Sequence, residues 1–590
     1  MAGKARTQIV NRRWRSAYVV FSTVIAVAAC IRLQWAFPEA SWQSSLLFVN
    51  DIDRLLSGHL GDVTWYEFTV PHALNGYRWI QYLNAALFGL NTQVELWAYY
   101  AIVLAISIIV GMRSFESIER SNRILPRIVL FAIPVVMASM SGAGSRGMEL
   151  GTYTGVLLTV ILFILLESRM TARQFSLVAV PVVILIVFAF LGGYAAGPLF
   201  ALAVVAAAQR LRPTCGDVVR SKLLLLLGAF FITCIAYALV MRAVSPIVSD
   251  SGIAGLRAQI ADNVLFPAKY LFLGWGAAVI SNLSLEHYEA HGTAIRSVIA
   301  ALVLGLVACA VVSAFRSAWS RATIPLLLIT YAVGVELMLL FTRNDSFAYA
   351  LSPWYSMHFK VGLAGAIWLV ALSLASVTPA WSHPAAFVGR VGAVAGVCLI
   401  LCVVVAANVI QFKRQPFERV YFQNVQRAIL DPATIIPDGQ ALTPLVLPYT
   451  ETITDIGILR HHRLGLYRHD SSGQGGSVSQ PKDLVVAGVS GDGWAGSDVI
   501  LLARSASCPQ VRVVIDSRSS KFDNIVTVSE QGQRTRKYVI GKEVRVLAVK
   551  THGFRARIHL TFARTWIPAE VGDGEDLRSL AAQVGAVCFK

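Results

Sequence analysis

The sequence predicts a polytopic α-helical membrane protein with about eleven transmembrane helices, followed by a C-terminal soluble all-β sandwich. Three observations carry that prediction. The 590 residues are 56% hydrophobic and only 14% charged, with a mean hydropathy of +0.60, more apolar surface than a soluble protein of this size needs. Several segments approach or exceed the ~20 residues that cross a bilayer. Beyond residue 483 the pattern changes to short runs alternating at period two.

The spans read near 17–36, 94–112, 124–140, 155–167, 175–191, 195–208, 223–241, 296–314, 324–341, 361–377 and 391–411. Every second loop between them is basic. Lys4, Arg6, Arg12, Arg13 and Arg15 precede the first span; Arg113, Arg120 and Arg123 follow the second; Arg169 and Arg173 follow the fourth. Arg210, Arg212, Arg220 and Lys222 follow the sixth, Arg316 and Arg321 the eighth, and Arg390 precedes the last. Basic loops mark the cytoplasmic side, so the N-terminus is expected inside and, with an odd number of spans, the C-terminal region outside. The formal net charge of +17 follows from this bias and from anionic lipid, and no nucleic-acid partner is expected. The first span has a basic flank and no small-residue cleavage site, so it reads as a retained helix.

The membrane body is read as residues 1–411, with long outside loops at 37–93 and 242–295. Within the second loop, the apolar stretch 265–282 reads as a re-entrant or interfacial helix, because a twelfth span would put Arg316 and Arg321 outside. A connector, 412–482, contains an amphipathic stretch at Phe417–Ile429 and a flexible linker at Ser471–Ser477. In 483–590, runs such as Val511-Arg512-Val513-Val514-Ile515, Ile525–Val528 and Ile558–Phe562 are separated by turn residues and suggest a β-sandwich. A closing helix is expected near Asp576–Val584. Cys508 and Cys588 are the two cysteines of this region. In an oxidising compartment they are expected to form a disulfide.

The first outside loop carries the chemistry. Asn50-Asp51-Ile52-Asp53-Arg54-Leu55-Leu56 has apolar residues at helical spacing, which predicts a short amphipathic helix on the membrane. On a helix Asp51 and Asp53 point about 200° apart and cannot both face one substrate. Asp51 is the first candidate for a general base and Asp53 the second; Arg54 is expected to pair with Asp53. An N-cap and helix-dipole role for these acids stays open. Glu67, His72, Tyr77 and Arg78 follow, among aromatic residues that suit sugar stacking and equally suit an interfacial aromatic belt. Arg146, Lys269, Arg343, His358 and Lys360 are cations expected at the outer side, against the positive-inside bias. They invite an anionic partner such as a lipid-linked phosphate; snorkelling to headgroups is the alternative. No P-loop, dinucleotide fingerprint, nucleophile elbow, H-E-x-x-H or zinc-site cysteine spacing is present.

With these residues in place, the chain resembles the GT-C superfamily of integral-membrane glycosyltransferases. Asn50 through Tyr77 looks like the first-loop pattern of bacterial members. Arg343 and Tyr355 resemble a Gly-Arg … Arg-Tyr pattern, with Trp354 in place of the second Arg. Asp492-Gly493-Trp494, Phe562 to Pro568, Gly572-Asp573 and Asp576-Leu577-Arg578 resemble a carbohydrate-binding-like β-sandwich appended to cell-envelope glycosyltransferases. The resemblance implies a bacterial inner-membrane enzyme that takes a sugar from a polyprenyl-phosphate donor. The sugar would pass to a glycan acceptor on the periplasmic face, by a single inverting displacement with a first-loop Asp as base. It implies Tyr355 among the acceptor-binding residues with Glu67, His72, Tyr77 and Arg78. Fixed cations, or a divalent cation, would neutralise the departing phosphate. Competing readings are a lipid-linked polysaccharide polymerase or ligase, a transporter or flippase, and a non-catalytic carbohydrate-binding envelope protein.

Overall fold

The structure, a computed structural model, describes residues 2–36, 48–67, 75–119, 121, 123–139, 146–211, 216–244, 251–280, 289–344, 355–376, 384–430, 458–468, 484–489, 494–503, 510–517, 523–530, 535–551, 556–565 and 581–589. The membrane body begins with helices α1 (Ala2–Ala36), α2 (Val49–Leu56), α3 (Asn75–Phe88) and α4 (Thr92–Ser117). The apolar helix α5 (Leu125–Met137) and α6 (Arg146–Leu165), α7 (Ala172–Leu185), α8 (Ala196–Leu211) and α9 (Asp217–Val244) follow. The body closes with α10 (Ser251–Asp262), α11 (Phe266–Gly274), α12 (Glu289–Ser317), α13 (Thr323–Thr342), α14 (Ser356–Ala375) and α15 (Pro384–Leu430).

Eight helical segments of the described residues are long and apolar enough to cross a membrane, and two shorter apolar helices accompany them. The longest, Ala172–Leu211, is not one regular helix: a π-helical and a 3-10 turn separate α7 from α8. The π-helical turn over Ile186–Leu191 ends at Gly192, whose φ of 55° and ψ of −127° suit a residue without Cβ. With α7 and α8 counted separately, each of the eleven spans read from the sequence has an apolar helix. The stretch after residue 265 is α11 and a 3-10 turn, Trp275–Ala278, packed with Tyr270, Leu273 and Trp275 buried. At nine residues α11 is too short to cross a bilayer, and it is not among the apolar helices counted above.

At the centre lies α14, buried along its whole length. Small residues let its neighbours approach closely, as membrane helices require. A Cβ on Gly362 would lie 2.6 Å from that of Ala332, and one on Gly365 would lie 2.7 Å from the carbonyl oxygen of Pro325.

The basic loops meet at one end of the bundle. Asn11 donates to the Glu119 carbonyl (3.1 Å) and accepts from Arg127 (2.6 Å). Arg113 pairs with Glu167 (2.6 Å), Lys222 donates to the Ser168 carbonyl (2.7 Å), Arg123 to that of Leu374 (3.0 Å) and Arg321 to that of Ser117 (3.0 Å). The first-loop elements α2 and α3 lie at the opposite end.

Two boundaries differ from the sequence reading. The last span and the amphipathic stretch after it form one helix, α15, of 47 residues, which runs on through Pro416 between them. Near the C-terminus a strand, Ala582–Phe589, occupies the end of the expected helix: Val584 and Ala586 are buried at period two, the mark of a strand.

Among the described residues the C-terminal region has eight strands: β1 (Leu484–Val489), β2 (Trp494–Ala503), β3 (Gln510–Asp516), β4 (Asn524–Glu530), β5 (Arg536–Ile540), β6 (Val544–Lys550), β7 (Ala556–Phe562) and β8 (Ala582–Phe589). They pair in the order β5-β4-β7-β2-β8-β3-β6, with β1 also on β2. The pairs are antiparallel, and Val499, Leu501, Val513, Ile515, Val526, Ile558 and Leu560 share one buried core.

Candidate active site

The short helix expected around Asn50–Leu56 is α2, with Val49 and Ile52 buried on its inner face. It turns Asp51 and Asp53 to different partners. Asp51 Oδ1 accepts from the Thr64 backbone N–H (3.2 Å) and from Arg54 Nη1 (3.2 Å). The pairing of Arg54 with Asp53 is therefore corrected: residues three apart share a helix face, whereas adjacent ones do not. Asp53 instead lies 2.6 Å from His462 Nε2, a residue of the connector 409 positions away in sequence. The Asp53 side chain is 39% exposed, that of Asp51 only 13%.

Thr64 joins Asp51 to the next helix. Its carbonyl accepts from Arg78 Nη1 (3.0 Å) and from the Tyr82 hydroxyl (2.9 Å). Burial, and next the Asp51 carboxylate, hold the Tyr82 phenol above its usual range. It therefore stays a neutral donor. Arg78 also pairs with Glu67, and its guanidinium lies 4.8 Å over the Phe48 ring, which packs on Tyr77. Asn75 clasps the Glu67 backbone, accepting from its N–H (2.8 Å) and donating to its carbonyl (2.9 Å). Asp51, Glu67, Tyr77 and Arg78 are thus brought into one network. His72 lies outside the described residues.

Beneath this layer, α3 is tied to the bundle. Gln81 donates to the Tyr77 hydroxyl (2.7 Å) and to Glu95 Oε1 (2.6 Å), and Asn84 donates to the same oxygen (2.7 Å). A Cβ on Gly151 of α6 would meet Tyr77 at 3.1 Å, so α6 needs a glycine there to approach α3. The sequence reading missed Glu95 and its amides; Gln81, Asn84 and Glu95 in otherwise apolar helices were the signal for them.

A second polar group follows across α6. Tyr194 bonds the Tyr355 hydroxyl (3.2 Å) and also Arg343, whose carbonyl accepts from Tyr270 (3.0 Å). His358 Nδ1 lies 2.6 Å from the Tyr331 hydroxyl, and its Nε2 has no partner among the described residues. Lys360 donates to the Ser139 carbonyl (2.7 Å) and interacts with Glu149. His358 and Lys360 were expected at the rim. Both are fully buried, because α14 begins at Ser356 and runs straight into the bundle. Arg343 is partly exposed at the end of α13, and Lys269 is exposed on α11 beside Tyr270. Arg146 opens α6; its side chain lies outside the description. Among the described residues no three His, Cys, Asp or Glu side chains converge as a metal site. Cys508 also lies outside the described residues.

No protein-family model matches the chain, and no curated protein matches it. Among solved structures, the chain is similar to an oligosaccharyltransferase from Archaeoglobus fulgidus, crystallised tethered to an acceptor peptide. The identity is 12% and the TM-score 0.38, over 70% of this chain and 57% of that one. The chain thus spans little more than half the length of that structure, and a likeness at this level decides nothing about activity.

Proposed function

We propose that this protein is an integral-membrane glycosyltransferase. It moves a sugar from a polyprenyl-phosphate donor to a cell-envelope glycan acceptor, at the membrane face opposite the basic loops. The observation that carries the reading is the network that gathers Asp51, Glu67, Tyr77 and Arg78 above a second cluster holding Arg343 and Tyr355.

In this reading Asp51 is the general base. Its Oδ1 is held by Thr64 and Arg54 beside the Tyr82 hydroxyl, which fixes the carboxylate that accepts the acceptor's hydroxyl proton. The acceptor oxygen attacks the anomeric carbon as the bond to the donor phosphate oxygen breaks. That phosphate departs with the electron pair, the proton stays on Asp51, and configuration inverts. Base assistance of this kind contributes about 10²–10⁴-fold. Arg343, with Lys269 close by in the fold, supplies the positive charge that the leaving phosphate requires.

The buried charges favour this reading over a transporter, which keeps such groups near mid-membrane. Glu95, Glu149, His358 and Lys360 all lie in the first turns of α4, α6 and α14. Glu336 lies six residues before the end of α13, about 9 Å at helical rise. All five are therefore in the half of the bundle beneath the first loop.

The test is transfer in vesicles from a radiolabelled polyprenyl-phosphate sugar to a glycan acceptor. Arg343→Gln is expected to raise the donor KM about tenfold or more while the acceptor KM stays within about twofold. Equal donor KM values in the two proteins would remove Arg343 from the site. Sugar-lipid movement without transfer would make the protein a flippase.

A further inference from the structure

A second cationic site lies on the seam between α1 and α15, away from the network just described. Arg32 lies four residues before the end of the first span at Ala36, and Arg419 six residues past the end of the last one at Lys413. The Arg32 guanidinium is 4.4 Å from the Trp35 ring centroid and 3.6 Å from that of Phe412, and the Arg419 guanidinium is 4.7 Å from Trp35. One indole therefore carries two guanidiniums.

The sequence explains why Arg32 is fixed there. Pro416 has no N–H, so the carbonyl of Phe412, four residues earlier in α15, loses its helical donor. Arg32 Nη2 donates to that carbonyl at 3.4 Å. The contact uses one of five N–H donors. Arg32 Nε has no hydrogen-bond partner among the described residues, and no carboxylate there pairs with either arginine. Trp35 and Phe412 are 41% and 52% exposed, so both rings face the lipid.

Two like charges held on one ring repel each other unless an anion comes between them. They sit at the headgroup level, at the end of the bundle opposite the basic loops, where the positive-inside bias does not account for them. We propose that Arg32 and Arg419 clamp the phosphate of a membrane lipid, with its chain lying along Trp35 and Phe412. Guanidinium matches phosphate through paired N–H donors and stacks on aromatic rings, which a lysine cannot do. The phosphate can belong to a bilayer phospholipid or to a prenyl phosphate.

The test is native mass spectrometry of the full chain released from phosphatidylglycerol bilayers. The parent is expected to retain a bound lipid, and Asp51→Asn to retain it equally, so the outcome is separate from any failure of the transferase reading. Arg419→Gln touches no helix carbonyl and should lower occupancy at least about tenfold; Arg32→Lys should lower it too. Competition with a prenyl monophosphate identifies the occupant. Displacement assigns the site to the prenyl lipid and persistence assigns it to phospholipid, and both uphold a lipid-phosphate clamp. Undiminished lipid in Arg419→Gln and Arg32→Lys, or none in the parent, would overturn it.

Discussion

Asp51 and Asp53 are chemically identical and two residues apart, and the helix gives them separate tasks. Asp51 faces Thr64 and the Arg78–Glu67 pair; Asp53 faces His462 and anchors the connector. Their divergence could be read from helix geometry alone. The partner of Asp53 could not, because nothing local links position 53 to position 462. Lys360 and Glu149 make the same point about depth. Both types of side chain usually mark a rim, yet here both are buried and interacting. Lys360→Met removes the cation that Glu149 interacts with, and is expected to cost about 3–5 kcal/mol. Adding Glu149→Gln should recover part of that loss. Thermal unfolding in detergent measures both, and equal midpoints for the single and double variants would show that the two charges do not interact.

At the scale of elements, the apolar spans were legible because bilayer thickness imposes length and hydropathy together. The strands were legible from period-two alternation, seen in the buried positions of β3, β4 and β7. The end of the expected C-terminal helix, residues 582–584, belongs instead to the strand β8, which closes ladders to β2 and β3, a long-range demand that local propensity does not contain; the start of that helix, 576–580, lies outside the described residues. The π-helical turn before Gly192 was hidden at the end of the span 175–191, read from apolarity alone. A disulfide between Cys508 and Cys588 remains an expectation at this scale. It should hold the β-domain with about 2–5 kcal/mol, and non-reducing mass spectrometry should find the linked peptides. Two free thiols would refute it.

For the whole molecule, alternating basic loops and a polar cluster at the opposite end describe a protein with two unlike faces. The loops that the sequence assigned to one side are joined by hydrogen bonds at one end of the bundle. The orientation in the membrane follows if that end is cytoplasmic. Reporter fusions after Arg123, Lys222 and Arg390 should read inside, and one after Gln480 should read outside. A cytoplasmic signal at Gln480 would place the β-domain away from any extracytoplasmic acceptor. The central claim is still narrower than topology: a fixed first-loop carboxylate takes a proton from the acceptor. The most direct measurement is single-turnover transfer by Asp51→Asn, which keeps the shape and a hydrogen-bonding oxygen while losing basicity. Transfer should fall at least about a hundredfold with donor binding nearly unchanged. Full transfer by Asp51→Asn would contradict the account and leave α2 with a structural role only.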